Sequence, residues 1–154
     1  MATGLSRYGE EFILDYVFTD GSSRAANIDI GIYDDATDSL NETDDLNAIT
    51  TEPSGAAYAR QSANFPGDFI NSFSSSVSNW QTEIVDQTFD TSDSSGIADS
   101  YFVLINFISD EAGESSTGSD HIFFTGSFDD SYTIDQIDSF KATGLGCTIN
   151  SSGN

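Results

Sequence analysis

Asn27-Ile-Asp-Ile-Gly-Ile-Tyr-Asp-Asp35, NIDIGIYDD, decides the fold class. Ile28, Ile30 and Ile32 alternate with Asp29, Gly31 and Tyr33, and a period of two puts the three isoleucines on one face of an extended chain. This predicts a strand with one buried face. On its N-terminal side, residues 3–18 (TGLSRYGEEFILDYVF) space Leu5, Tyr8, Phe12, Ile13 and Tyr16 as one helical stripe, with Thr3 or Ser6 as cap. A short N-terminal helix over about 3–18 is expected, although the aromatic and β-branched residues of FILDYVF also suit a strand.

On the C-terminal side lies DDATDSLNETDDLNAIT, residues 34–50, an acidic loop that Leu40, Leu46 and Ile49 can tack onto the body. Its six acids, Asp34, Asp35, Asp38, Glu42, Asp44 and Asp45, lack the central Gly and terminal Glu of a rigid calcium loop, which favours a solvated loop. No cofactor and no dedicated metal site are expected, while surface Mg²⁺ or Ca²⁺ on loop carboxylates stays open. Further strands are predicted at Tyr58–Phe65, Trp80–Phe89, Tyr101–Ser109, His121–Phe128 and Gly144–Asn150. INSFSSSVSN, residues 70–79, reads as a loop or a weak strand, 91–100 as a turn or loop, 110–120 as a second acidic loop, and 131–140 as a loop or short helical turn. Several short strands after one helix predict a mainly β chain: an antiparallel β-sandwich, jelly-roll-like, in one domain over residues 1–154.

Four basic residues stand against 26 acidic ones, for a net charge of -22, and Lys141 is the only lysine. Twelve Phe, six Tyr and one Trp supply enough apolar matter for a core, so the acids, spread through every loop, must coat a fold. Such a coat suits multimolar salt, where the Debye length falls to about 3 Å and crowded carboxylates cease to repel strongly. It also excludes nucleic acid as a partner, because there is no basic patch to neutralise phosphates. No stretch approaches the length of a membrane span, so no membrane is expected, and the first residues lack the apolar run of a secretory signal. Cys147 is the sole cysteine, expected as a small buried hydrophobe with no intrachain disulfide.

Catalytic material is sparse. His121, the only histidine, has a general-base reading, but it stands at a strand entry where a partly exposed structural ring is the ordinary role. Acids are so many that any two make a candidate glycosidase pair, so their abundance says nothing of spacing in the fold. The expectation is that the protein is not an enzyme.

Thr51-Glu-Pro-Ser-Gly-Ala-Ala-Tyr-Ala-Arg-Gln-Ser62 holds one of only three arginines. Arg60 shares a predicted strand face with Tyr58, and a guanidinium there can clamp a carboxylate or cap carbonyls of the preceding turn while Tyr58 covers its plane. An interface role is the alternative for Tyr58, Arg60 and Gln61. For Arg7 and Arg24, pairing with local acids and pairing with a neighbouring subunit are equally open. Tyr33, Trp80 and Tyr132 are the aromatic residues that a contact with a host surface would use, with core or rim positions as the alternative.

The order of these pieces resembles small virion structural proteins of tailed viruses. One strand, here Ile30-Gly-Ile-Tyr33, leads through a polar loop to a second, Gly55-Ala-Ala-Tyr58-Ala-Arg60-Gln61. Ile105-Asn-Phe107, His121-Ile-Phe-Phe-Thr-Gly126 and a closing strand near Leu145–Ile149 continue the series, so the resemblance runs from about residue 5 to 150. It departs in Ala56-Ala57, where glycine is common, and in serine-rich 70–79. The acidic composition is similar to the forms carried by tailed viruses of haloarchaea. The resemblance implies a non-enzymatic virion component, made in the host cytoplasm and placed at a capsid turret, as decoration, or near the tail. It also implies other virion proteins as partners, the major capsid protein among them, and a homo-oligomeric ring such as a pentamer.

Overall fold

The computed structural model describes residues 4–5, 9–10, 13, 27–41, 43–64, 67–74, 79–105 and 121–149. The chain is mainly β, with a short N-terminal helix and antiparallel sheets throughout. In order come β1 (Gly4–Leu5), β2 (Asn27–Tyr33), α1 (Asp35–Asp38), β3 (Gln61–Asn64), β4 (Phe69–Ser74), β5 (Asn79–Ile84), β6 (Gln87–Asp90), β7 (Ile97–Ile105), β8 (His121–Thr133), β9 (Ser139–Ala142) and β10 (Gly146–Ile149). They form a five-stranded sheet ordered β1-β8-β7-β2-β3, a three-stranded sheet β10-β5-β4 and a two-stranded sheet β6-β9.

The alternation of NIDIGIYDD organises the packing. Ile28, Ile30 and Ile32 enter a core with Tyr101, Val103, Ile105 and Phe124 from the same sheet, Ile84 from β5, Phe89 and Phe140 from the small sheet, and Leu145 before β10. All three sheets thus share one core, and each fully buried Ile or Phe contributes about 1.5–3 kcal/mol. β7 is apolar on both faces because both are covered. Its other face, Phe102 and Leu104, packs with Tyr33, Leu40 and Ile122 under Leu46, Ala48 and Ile49 of the acidic segment.

Two glycines make room for rings on these faces. Gly31 is paired across the ladder with Phe102, and a Cβ on it would lie 2.3 Å from Phe102 Cζ. Gly126 is paired with Tyr101 and would place a Cβ 2.3 Å from Tyr101 Cζ. In both cases the ring lies over the glycine of the neighbouring strand.

The acidic segment 34–50 is not simply solvated loop. Asp34 caps α1 by accepting from the Ala36 amide, and Asp45 caps a 3-10 turn at Leu46–Ala48 by accepting from the Asn47 amide. Asp38 accepts from the amides and the hydroxyls of both Thr50 and Thr51, closing the segment on itself. Burial raises the Asp38 pKa, but these four bonds outweigh it and hold the carboxyl below its ordinary value.

Several predicted boundaries move. Leu5, expected on the helical stripe, is in β1 and pairs with Phe124 at an open edge of β8, so the helix does not begin at residue 3. Residues 9, 10 and 13 are helical, and apart from these and β1 the rest of 3–18 lies outside the described residues. The strand expected from Tyr58 starts at Gln61: the β2–β3 ladder ends at Ile30–Gln61, and beyond it the Tyr58 hydroxyl accepts from the Ile32 amide in place of a strand. Trp80–Phe89 breaks after Val85, whose amide makes the last bond toward β4 at Asp68 O, and from Gln87 the chain pairs with β9, leaving β5 and β6 in different sheets. Residues 97–100, expected in a loop, begin β7, since Ser100 faces Tyr33 and Ala98 faces Tyr132. Serine-rich 70–79 supplies most of β4 and the start of β5, and Ser139–Ala142 is a strand where a turn was expected. The second acidic loop, 110–120, falls outside the described residues.

Candidate functional site

The β4–β5 hairpin carries the most exposed large apolar side chains described. Its register pairs Phe69 with Ile84, Asn71 with Thr82 and Phe73 with Trp80. Paired residues share a face, so one row runs along the hairpin. The row begins in the core, with Ile84 fully buried and Phe69 and Cys147 packed beside it. It then leaves the body: Phe73, four residues and about 14 Å farther along β4, is 52% exposed, and Trp80 is 61% exposed. Their rings meet edge to face at 5.7 Å. Thr82 donates to the Asn71 side chain between the two ends of the row. Ile70, on the opposite face, is 54% exposed.

The surroundings of this row set it apart. Residues 69–82 contain no acid and no base, in a chain that is 19% charged. Phe73 and Trp80, each about half exposed, make one contiguous aromatic patch on one face of the hairpin, and Ile70 stands exposed on the other. Of this patch the sequence reading singled out Trp80 alone. The signal that would have found Ile70 and Phe73 is the long window without charge.

Arg60 and Tyr58 meet on Glu52. Arg60 Nε lies 2.9 Å from Glu52 Oε1 and Nη2 lies 2.8 Å from Oε2, a bidentate clamp. The Tyr58 hydroxyl donates to Glu52 Oε1 at 2.9 Å. The guanidinium stands 5.5 Å from the centre of the Phe102 ring, while Tyr58 stacks on Phe89. Phe102, rather than Tyr58, is thus the ring beside the cation. Burial, followed by the Glu52 charge, pushes the Tyr58 pKa up. A shallow hollow of about 430 Å³ opens here, lined by Glu52, Pro53, Tyr58, Ala59 and Arg60. The preceding turn is held from across the fold, as both Asp93 carboxylate oxygens accept from the amides of Ala56 and Ala57. Gly55 has a φ of 155°, and a Cβ there would collide with Ser94 and Asp93. Gln61 opens β3 and folds its amide back onto Ala59 O.

The chain matches no family model, no curated protein and no solved structure.

The other candidates disperse. Arg7 and Arg24 lie outside the described residues. Tyr33 is 1% exposed, beneath the acidic segment, with its hydroxyl donating to Asp35 at 3.0 Å, so it has no surface to offer a partner. Burial and then the Asp35 charge raise its pKa. Tyr132 lies half-buried at the rim of a groove of about 480 Å³, donating to Asp129 and packing edge to face on Phe128 and Phe140. His121 opens β8, half-buried. Cys147 is half-buried rather than fully so, and burial raises its thiol pKa. Among the described residues no three His, Cys, Asp or Glu side chains converge as a metal site.

Proposed function

We propose that the protein is a non-enzymatic structural component of the virion of a tailed virus living in concentrated salt, most simply a capsid turret or decoration part. In this reading the sheets close into a jelly-roll-like sandwich, and copies associate into a ring beside other virion proteins. The observation that carries it is the uncharged, exposed row of the β4–β5 hairpin on a chain of net charge -22. Where carboxylates coat the rest, an uncharged stretch with an exposed Trp and Phe is a surface made for contact. In multimolar salt charge steering is screened, so such contact has to rest on apolar burial and short hydrogen bonds. The resemblance of its segment order to small virion proteins suggests the setting. A tail-associated position against a host surface is the second reading, favoured by the outward stance of Trp80.

The test combines mass and location. Light scattering in multimolar KCl is expected to give an oligomer, and mass spectrometry of purified particles to find the chain in them. A monomer that is absent from particles would refute the proposal. Dilution to tenths of molar salt is expected to dissociate or unfold the protein, read by light scattering and circular dichroism, because unscreened carboxylates then repel.

A further inference from the structure

We infer that a second copy of this chain covers the hairpin, its β4 adding antiparallel to β4 about a two-fold axis that passes beside Asn71. The inference rests on the reading of the protein as an assembling component, and it names the partner and register of one contact between two copies, with ring closure falling to a different surface.

β4 is built like an edge left open. Among the described residues it pairs with β5 alone, and that ladder runs through six consecutive pairs with no bulge. Phe69–Ser74 contains no proline and no charge, the usual protections of an exposed edge. The other edges are shorter or guarded. β1 has two residues; β3 has four, and its last amide, on Asn64, is taken by Asp68; β6 and β9 carry Asp90 and Lys141.

Symmetry restricts the register, and the apolar row selects within it. A two-fold axis relating antiparallel neighbours in one sheet is normal to it and keeps each side chain on its own face. Residues facing each other across the axis must therefore have the same parity. With Asn71 opposite Asn71 of the partner subunit, Phe73 comes opposite Phe69 of the partner subunit. The row then reads Trp80, Phe73, Phe69 of the partner subunit, Ile84 of the partner subunit. Each protruding aromatic pair would thus continue the row that enters the other copy's core.

Charge selects a copy of the same chain over a cationic partner. A cation would be drawn to the carboxylate coat and would find no acid along residues 69–82. Two chains of net charge -22, conversely, can approach closely only where neither carries charge. In this register the nearest acids on β4's own approach, Asp68 of each copy, stand six residues or about 20 Å apart. That is twice the Debye length at about 0.1 M salt and several times it at about 1 M.

The experiment is site-specific cross-linking in multimolar KCl on a Cys147→Ala background. Facing Cα atoms in an antiparallel pair lie about 4.5–5.5 Å apart, inside the range a disulfide bridges. Asn71→Cys is expected to give a covalent dimer under mild oxidation, while Thr88→Cys on β6 does not. Trp80→Ser, with its circular dichroism unchanged, is expected to weaken association at least tenfold by sedimentation, as removal of a central Trp anchor does. Asn71→Pro, which removes an amide that faces the open edge while those of residues 70 and 72 face β5, is expected to weaken it as well. An oligomer that does not link through residue 71, or links equally through 88, overturns this inference and leaves the structural role standing. A chain that stays monomeric at every concentration in multimolar salt overturns this inference, and its absence from purified particles as well overturns both.

Discussion

The segment from Asp34 to Arg60 and the hairpin from Phe69 to Ile84 use their polar residues in opposite ways. In the first, acids are fastened: Asp34 and Asp45 cap short helical turns, Asp38 takes four bonds from Thr50 and Thr51, and Glu52 holds Arg60 and Tyr58. The segment thereby lays a cover over one face of the large sheet. In the second there are no acids until Glu83, and the apolar row ends in the open. The difference teaches that a chain with this charge separates two tasks. Carboxylates serve as hydrogen-bond acceptors that organise loops, and the most exposed apolar side chains stand in a stretch without charge, where the proposed function places the contact.

That contrast can be broken first with alkali. Tyr33, Tyr58 and Tyr101 all have pKa values raised chiefly by burial, so their folded forms keep the proton that the unfolded chain releases near pH 10. Their stabilising contribution is whole below that value and is lost as pH rises past it, at about 1.4 kcal/mol per pH unit for each group. Alkaline titration followed by circular dichroism is expected to unfold the protein steeply above pH ~10.

Gly31→Ala comes next, because its methyl meets the Phe102 ring and Glu52 in the covered region. A loss of about 3 kcal/mol is expected in chemical denaturation. Arg60→Leu leaves the Glu52 carboxylate half-buried with the Tyr58 hydroxyl, and about 2 kcal/mol is expected to go, measured the same way. Thr51→Val removes one hydroxyl from Asp38 and is expected to cost about 1 kcal/mol. The Asp38 contribution is present above the ordinary carboxylate pKa and fades as pH falls through its lowered folded value, so the gap between this variant and the parent should shrink in acid.

Lys141→Gln sharpens the contrast from the other end. Its pair with Asp86 has 59% and 45% exposed side chains, and a change below about 0.5 kcal/mol is expected. If this exposed pair mattered as much as Arg60, the distinction between fastened and merely superficial charge would fail.

Much of the β framework was legible because periodicity is local. The isoleucines of β2, the apolar run of β7 and the start of β8 at His121 were readable where alternation or continuous burial is strong. The tacking of the acidic segment by Leu40, Leu46 and Ile49 was readable too, since apolar residues in a polar loop have few other uses. Boundaries set by partners were not. Nothing within Tyr58–Arg60 says that β2 has no ladder left to offer it, and nothing within Trp80–Phe89 says that its partner changes from β4 to β9 after Val85. Serine blurs a period of two, so residues 70–79 read as loop or weak strand alike, and Tyr33 reads as contact or core alike because its cover comes from residues that follow it in the chain.

By itself the sequence determined an acid-coated chain rich in aromatic residues, with strands wherever apolar residues recur every second position, since those properties depend on residue type and short spacing. Tertiary structure alone decided which carboxylate Arg60 holds, which ring lies beneath it and how far Phe73 and Trp80 project past the core. These depend on where distant strands end and which neighbour they meet, and a side chain's exposure is fixed only when the whole chain has packed around it.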